Sequence, residues 1–307
     1  FGTGALELYA LRRGGDLAAL LPLERRGVGL ASPTNPHTPA FGVLASDLDA
    51  AEELTRAVLR RRFARLSVEH VEPGQGGAAT LAAAAAATRC RTVTRLLARA
   101  PYLDTSGDLA TYEQSLSSKL LRELRRRRRR LEAEGDVRLD LRDGSAELGA
   151  SLEEGLRVEA AAWKGAQGTS IRGRADTRGF YAAVARWAAE RGSLRLAFLR
   201  LGDRPLAFDL SLEEGGVHYL LKTGYDPEAR ELGPGIMIRH EMIRRAFEQG
   251  LWSYELLGRD EPWKLRWTAS VRERLAVELF PRSAAGSAAW TWRAGARPLL
   301  RRLVRRG

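Results

Sequence analysis

The stretch 217–249 constrains the fold of this chain most, because it predicts a strand, a glycine-bearing loop and a helix in succession. Its first apolar residues alternate with polar neighbours, as in a half-buried strand. Turn residues at 224–227 end that strand, and from Ile236 apolar residues recur at helical spacing until Gly250. A loop that opens a helix directs free backbone N–H groups and the positive end of the helix dipole the same way. This layout suits an anion.

The loop itself, 230–235, reads R-x-x-G-x-G and contains Arg230, Gly233 and Gly235. It resembles the loop with which acyltransferases of the GNAT superfamily hold the pyrophosphate of acetyl-CoA. The resemblance implies that these three residues and the backbone N–H of Ile236 bind that pyrophosphate, with the glycines allowing close approach. The alternative is a surface turn followed by a helix cap. Pro234 removes one N–H donor that such a loop would use.

Composition limits the classes of function. The single cysteine, Cys90, excludes an internal disulfide framework, and the four histidines show no metal-ligand spacing. No apolar run is long enough to span a bilayer and no signal peptide is apparent, so we expect a cytoplasmic protein. The net charge of +12 favours anionic partners. The basic residues are nearly all arginine, which is typical of a GC-rich genome and weakens that inference.

The order of predicted elements divides the chain into segments. Residues 1–108 predict a hairpin, a helix, a strand, a short helix and a strand. Residues 109–134 predict one amphipathic helix, 135–290 a second unit with three antiparallel strands before the glycine loop, and 291–307 a basic tail. The predicted fold class is α/β with mixed sheets, in two tandem GNAT-like units. The first is degenerate because it lacks an R-x-x-G-x-G loop.

Within 109–134, four leucines form one helix face and an arginine run follows at 125–130. The run predicts either contact with tRNA or another polyanion, or the solvated face of an amphipathic helix. Further along, a strand is predicted at 251–257 and a helix start at 260–262.

Several stretches of the second unit resemble the CelD/BcsL-like GNAT N-acetyltransferases, a bacterial family associated with exopolysaccharide or cellulose genes. They include 159–164, 205–208, 219–226, 233–235 and 258–267. The resemblance extends over about 116–267 and, more distantly, to the Fem-type transferases. It implies an acyltransferase that uses acetyl-CoA or another acyl-CoA and acts on an amine or hydroxyl of a sugar or cell-envelope precursor.

Acyl transfer requires a base for the acceptor, a donor to the oxyanion and a leaving thiolate. In a GNAT fold the strands here predicted at 217–223 and 251–257 splay apart around the pantetheine, which places Leu221 and Lys222 among donor-binding residues. Glu255 is the first candidate base and Asp209 the second, since burial in an apolar run disfavours the charged form of a carboxylate. Lys264, by resemblance to Fem-type enzymes, would steady the oxyanion.

Tyr225 is a further candidate for the catalytic centre, either as a contact of donor or acceptor or as the acid for the thiolate, a role for which Tyr219 is the alternative. Two other functions remain open at the level of sequence. One is a Fem-type transfer from aminoacyl-tRNA, with the helix that carries the arginine run binding RNA. The other is a GNAT-like scaffold without catalysis that binds a polyanion or a partner. The oligomeric state is not indicated.

Overall fold

The computed structural model describes residues 4–35, 37–161 and 175–296. Residues 162–174, which include part of the stretch 159–164, and most of the basic tail predicted at 291–307 lie outside these residues. The chain divides into two compact units. One comprises Phe1–Ala100 with Arg272–Gly307, as far as they are described, and the other comprises Pro101–Val271. Among the described helices, none is both long and apolar enough to cross a membrane.

The first unit is a mixed sheet with two helices packed on it. Its strands are β1 (Ala5–Arg13), β2 (Asp16–Arg26), β3 (Gly29–Ala31), β4 (Leu44–Ala45), β5 (Leu66–Val71) and β12 (Val271–Phe280). Its helices are α1 (Leu48–Leu59), α2 (Ala78–Ala87) and the short α8 (Ala284–Thr291). The strands follow the order β1-β2-β3-β5-β12, with β4 beside β2. Apolar residues of β2, β5, α1 and α2 form its core.

The second unit is a six-stranded sheet with helices on both faces. Its strands are β6 (Arg91–Asp104, which enters this unit at Pro101), β7 (Val137–Arg142), β8 (Leu194–Leu201), β9 (Arg204–Glu214), β10 (Val217–Tyr225) and β11 (Ser253–Glu255). Its helices are α3 (Leu109–Ser115), α4 (Ser118–Glu134), α5 (Leu148–Ala161), α6 (Ala175–Glu190) and α7 (Pro234–Glu248). The strand order is β6-β11-β10-β9-β8-β7.

Alternation along β8 explains why this sheet has two cores. Leu196 and Phe198 pack with α5 and α6, whereas Ala197 and Leu199 pack with α4 and α7 on the other face. Because successive side chains of a strand point to opposite faces, a strand covered on both sides reads as a continuous apolar run. Only β10 and β11 pair in parallel within this sheet, and its other pairs are antiparallel.

The single helix predicted at 109–134 is wrong, because the chain breaks between α3 and α4. Leu116 is extended, and the side chain of Ser117 accepts a hydrogen bond from the backbone N–H of Leu120, which starts a new helix. The predicted leucine face is confirmed, since Leu116, Leu120, Leu124 and Leu131 are all buried.

Two predictions near the end of the second unit are also wrong. The strand predicted at 251–257 contains only three paired residues, those of β11. The helix predicted to start at 260–262 is a set of turns, in which the N–H groups of Lys264 and Leu265 both bond to the Glu261 carbonyl. The last of these turns ends at Trp267, whose N–H bonds to the carbonyl of Lys264.

Candidate active site

A cleft of about 500 Å³ lies in the second unit at the start of α7. Strand β10 ends at it, and a 3₁₀ helix (Pro227–Leu232) connects that strand to α7. Helix α4 and the turns after β11 complete the walls. The cleft is lined by Glu123, Arg127, Thr223, Gly224, Tyr225, Arg230, Gly233, Pro234, Gly235, Ile236, Arg239, Glu261, Trp263, Arg266 and Trp267. It therefore gathers the predicted pyrophosphate-binding residues with four arginines.

Gly233 is the hinge between the 3₁₀ helix and α7. Its φ of +69° and ψ of +44° are left-handed, a conformation that residues with a Cβ atom adopt at a cost. A Cβ atom here would also lie 2.9 Å from Cδ of Arg127. Glycine thus lets the chain turn into α7 while the arginine of α4 passes directly over the turn.

The first turn of α7 presents unbonded backbone donors to the cleft. Pro234 has no N–H, and the N–H of Met237 bonds to the carbonyl of Gly233 at 3.2 Å. The N–H groups of Gly235 and Ile236 have no hydrogen-bond partner among the described residues, and no side chain caps this helix. Two donors and the positive end of the helix dipole therefore meet at one place, which favours a bound anion.

Two arginines flank these donors. The side chain of Arg230 is exposed and forms no ion pair or hydrogen bond with the described residues. Arg127 donates a hydrogen bond to the backbone carbonyl of Glu231 and lies 3.9 Å from Glu123. A third arginine, Arg266, pairs with Glu123 at 2.5 Å. Positive charge therefore exceeds negative charge at the mouth of the cleft.

The fourth arginine, Arg239, lies on the floor of the cleft and is almost completely buried. Its guanidinium donates to the Asp209 carboxylate at 2.9 Å, to the hydroxyl of Thr223 at 3.3 Å and to the hydroxyl of Tyr254. Burial acts to lower the pKa of Arg239, but the charge of Asp209, the interaction with Tyr254 and the hydrogen bonds to both residues together outweigh it, and the pKa is raised. The cleft floor consequently contains a permanently charged and fixed guanidinium.

Next to this pair, His218 stacks on Tyr254 with ring centroids 4.4 Å apart. Burial lowers the pKa of His218 and raises that of Tyr254, so both groups are neutral at neutral pH. The Nδ1 atom of His218 lies 3.1 Å from Oε1 of Glu213. A chain of contacts thus extends through the core from Glu213 to the arginine on the cleft floor, by way of a hydrogen bond, the ring stack of His218 on Tyr254 and a second hydrogen bond.

Strands β10 and β11 separate in the way that the resemblance implied. They pair over only three residues each, and the last pair is Tyr219 with Glu255. Beyond it β11 ends, whereas β10 continues to Tyr225 with an irregularity in its pairing with β9 around Leu221. The side of β10 that faced β11 is therefore without a strand partner in the described structure from this point to the cleft.

The candidate base Glu255 lies at the start of this separation. Its side chain is buried, and its Oε1 atom accepts a hydrogen bond of 2.9 Å from the hydroxyl of Ser253. Tyr225 lies at the opposite end of the separation, because six residues of strand extend about 20 Å. The ring of Tyr225 lies 3.2 Å from where a Cβ atom of Gly235 would be.

The ammonium group of Lys264 is fully engaged by its own turn. It donates to the carbonyls of Leu257 and Arg259 at 2.8 and 3.0 Å and pairs with Glu261 at 2.9 Å. An ammonium has three N–H donors, so each has an acceptor here. Leu257 has a φ of +52°, and the lysine thus holds a turn that the backbone alone disfavours.

The structure brings together five of the residues predicted for the site and leaves five outside the cleft lining. Inside are Arg230, Gly233, Gly235, Ile236 and Tyr225. Outside are Leu221, Lys222, Asp209, Glu255 and Lys264, of which Lys222 lies over the ring of Tyr181 at 5.1 Å. Trp263 and Trp267 form part of the cleft wall.

Sequence analysis did not single out Arg127 and Arg239 as residues of the site, although their spacing indicates that both face the interior. Arg127 follows Leu124 by three positions and precedes Leu131 by four, so it lies on the buried face of α4. Arg239 bears the same relation to Ile236 and Ile243 on α7. An arginine on the apolar stripe of a helix is a signal that the charge is held inside.

Comparison with known proteins agrees with this geometry. Residues 118–265 match the family model described as the acetyltransferase (GNAT) domain. The matched segment begins with α4 and ends in the turn of Lys264, and it includes the glycine hinge and the cleft. Among curated proteins no sequence match was found.

Three solved structures share the fold. The C-terminal domain (DUF2156) of a putative lysylphosphatidylglycerol synthetase from Agrobacterium fabrum has 13% identity and a TM-score of 0.59, covering 94% of this chain and 89% of that one. The crystal structure of FemX has 12% identity and a TM-score of 0.57, with coverages of 89% and 88%. A conserved protein of unknown function from Bacteroides thetaiotaomicron has 14% identity and a TM-score of 0.58, with coverages of 85% and 83%.

These findings confirm the predicted fold class, a mixed α/β chain of GNAT-type architecture. Within the second unit, residues 118–265 are similar to the acetyltransferase (GNAT) domain. At these identities the structural likeness concerns the fold alone. The particular acyl donor and acceptor are therefore matters for proposal.

Proposed function

We propose that this chain transfers an acyl group, acetyl from acetyl-CoA in the first instance, to an amine or hydroxyl of a sugar or cell-envelope precursor such as that of an exopolysaccharide. The observation that carries the proposal is the first turn of α7. There the unbonded N–H groups of Gly235 and Ile236 face a cleft that also contains Arg230 and Arg127. A pyrophosphate carries two charges and several acceptor oxygens, which this set of donors matches.

The separated strands give the donor a path from that site to the reaction centre. With its pyrophosphate at α7, the pantetheine arm would extend along the unpaired side of β10 toward Tyr219 and Glu255. This distance, about 20 Å along the strand, is of the order of the arm itself. A backbone N–H released by the irregularity at Leu221 would then donate to the thioester oxygen as it becomes an oxyanion.

The positions of four further residues suggest the remaining roles in acyl transfer. Glu255, at the point of separation, would accept the proton of the attacking amine or hydroxyl. Tyr219, in register with it, would protonate the leaving thiolate, because Tyr225 lies at the pyrophosphate end. Asp209 would act as a positioning residue for Arg239, and Lys264 would hold the turn of the cleft wall in addition to any contact with the oxyanion.

Calorimetric titration with acetyl-CoA tests the donor. We expect micromolar binding to the unaltered chain and loss of binding in the double variant Arg230→Ala, Gly235→Trp, in which an indole fills the cleft beside Tyr225. Arg244→Ala is the matched control, since it removes one positive charge from the far end of α7 and should bind as the unaltered chain does. Absence of binding at millimolar acetyl-CoA would overturn the acyl-CoA proposal.

A second candidate, transfer from aminoacyl-tRNA, is favoured by the outer face of α4. Five arginines of this helix are exposed and have no carboxylate partner among the described residues: Arg122, Arg125, Arg126, Arg129 and Arg130. A row of such charges fits a phosphodiester backbone. RNA binding that weakens steeply with salt and is lost in Arg125→Ala, Arg129→Ala, together with no acetyl-CoA binding, would favour this candidate.

A further inference from the structure

The first unit contains its own large cavity, of about 930 Å³, remote in sequence from the residues of the GNAT cleft. It is formed where four segments meet, namely the turn between β2 and β3, the segment after α1, the segment after α2 and the segment before α8. Among the described residues, six arginines and no carboxylate line it: Arg25, Arg60, Arg61, Arg62, Arg89 and Arg282. A concave surface with this charge is costly to leave empty of anions.

The pairing of these arginines shows that most of the charge is uncompensated. Arg25 pairs with Glu7, and Arg61 lies over the ring of Tyr9 at 5.7 Å. The other four form no ion pair within the described part of the chain. Arg13, by contrast, pairs with both Asp47 and Glu53.

Helix dipoles explain only part of this arrangement. Arg60 and Arg89 follow the C-terminal ends of α1 and α2, where a positive charge is favourable. Arg282 instead precedes Ser283, the N-cap of α8, where the dipole disfavours a cation. Ala284 and Ala285, in the first turn of α8, line the same cavity, and their backbone N–H groups have no partner among the described residues. These backbone N–H groups and the guanidinium groups are all hydrogen-bond donors, and an anion could accept from both.

The geometry points to a second binding site in the first unit, for a ligand that carries several phosphate groups in a row. Guanidinium groups from four segments cannot be bound by one carboxylate, whereas successive phosphates offer at least two non-bridging acceptor oxygens each. Such phosphates occur in free oligophosphates and in the backbone of a nucleic acid. This inference is independent of acyl transfer, because it uses no residue of the second unit.

The test uses inorganic tripolyphosphate as probe and the Arg230→Ala, Gly235→Trp variant as protein, so that the GNAT cleft does not contribute. Calorimetry should find one site, weakened about tenfold or more in Arg62→Ala, Arg282→Ala, because each change removes charge-assisted hydrogen bonds. The matched control is Arg12→Ala, Arg99→Ala, which removes two exposed arginines of the same unit from outside the cavity. It should bind as its parent does.

Cys90 provides a local readout on the chain without any substitution, because it is the only cysteine in the sequence and it lines the cavity. Tripolyphosphate should slow its alkylation by N-ethylmaleimide. A short oligothymidylate that protects Cys90 at lower concentration than tripolyphosphate would assign the phosphates to a nucleic acid, and the reverse order to a free oligophosphate. Absence of a calorimetric site, or equal weakening in the control pair, would overturn the proposal.

Discussion

Arg239 and Asp209 form an ion pair of 2.9 Å whose two side chains are almost wholly shielded from water, beneath the floor of the cleft. Charges buried in this way stabilise each other only as long as both are present. The pair joins helix α7 to strand β9, and it holds the guanidinium of Arg239 beside Thr223 at the end of β10.

Removal of one charge of this pair should therefore destabilise the second unit. We expect Asp209→Asn to lower the free energy of unfolding by about 3 kcal/mol, because Arg239 is left as a buried cation without a counter-charge. Urea denaturation followed by circular dichroism measures this. The double variant Asp209→Leu, Arg239→Met should be more stable than Asp209→Asn, and a less stable double variant would contradict the account.

Gly233→Ala should affect both stability and donor binding. The left-handed backbone costs about 1 kcal/mol with alanine, and the new methyl group displaces Arg127 from the cleft. We expect acetyl-CoA to bind about tenfold more weakly, as one charge-assisted contact is lost. Gly250→Ala is the control, since Gly250 has a φ of +65° with no atom near its missing Cβ. It should share the loss of stability and keep donor affinity.

Lys264→Met should destabilise the turn that this ammonium holds. The carbonyls of Leu257 and Arg259 would lose a charged donor in a buried turn, and we expect a loss of about 2 kcal/mol in unfolding free energy. Lys119→Met removes an exposed lysine and should change the stability little. If Lys264→Met unfolds as the unaltered chain does while acyl transfer is abolished, the lysine acts on the reaction and not on the turn.

Glu213 should make the free energy of unfolding depend on pH in the acidic range. Burial acts to raise its pKa, but hydrogen bonds from His218 and Arg245 outweigh it and lower the pKa from 4.5 to about 2. A lowered folded-state pKa stabilises the fold above the unfolded value, and this contribution disappears as the pH falls from 4.5 toward 2. It amounts to about 3 kcal/mol.

Comparing the unfolding free energies of Glu213→Gln and the unaltered chain from pH 7 to pH 2 checks this expectation. The two should differ by about 3 kcal/mol at neutral pH and converge near pH 2. Glu214→Gln, one position further along β9 and exposed, should follow the unaltered chain throughout. A constant difference between Glu213→Gln and the unaltered chain at all pH values would show that Glu213 does not titrate in this range.

Local patterns predicted most of the fold. The hairpin of β1 and β2, the strands β8 to β10 and the leucine face of α4 follow from periodicity, which depends on near neighbours alone. The break before Ser117 and the three-residue length of β11 do not. Both depend on tertiary partners: Leu116 enters the core on the α4 side of the sheet, and β11 is confined between β6 and β10.

The candidate site was predictable to a similar extent. The glycine loop is a contiguous motif, and its residues Arg230, Gly233 and Gly235 line one cleft. The acceptors of Lys264 are backbone carbonyls of a turn with positive φ at Leu257, which no side-chain pattern records. The arginines of α4 and α7 were missed because arginine was interpreted as a solvent-facing residue, even on an apolar stripe.

Lys264 also occupies a position at which an arginine could not take the place of lysine. Of the 50 lysine and arginine residues only four are lysines, so this side chain is rare in the chain. Three oxygens lie between 2.8 and 3.0 Å from the single nitrogen of this ammonium. The planar fork of an arginine cannot direct its donors to three such points. At this position the turn requires the shape of lysine as well as its charge.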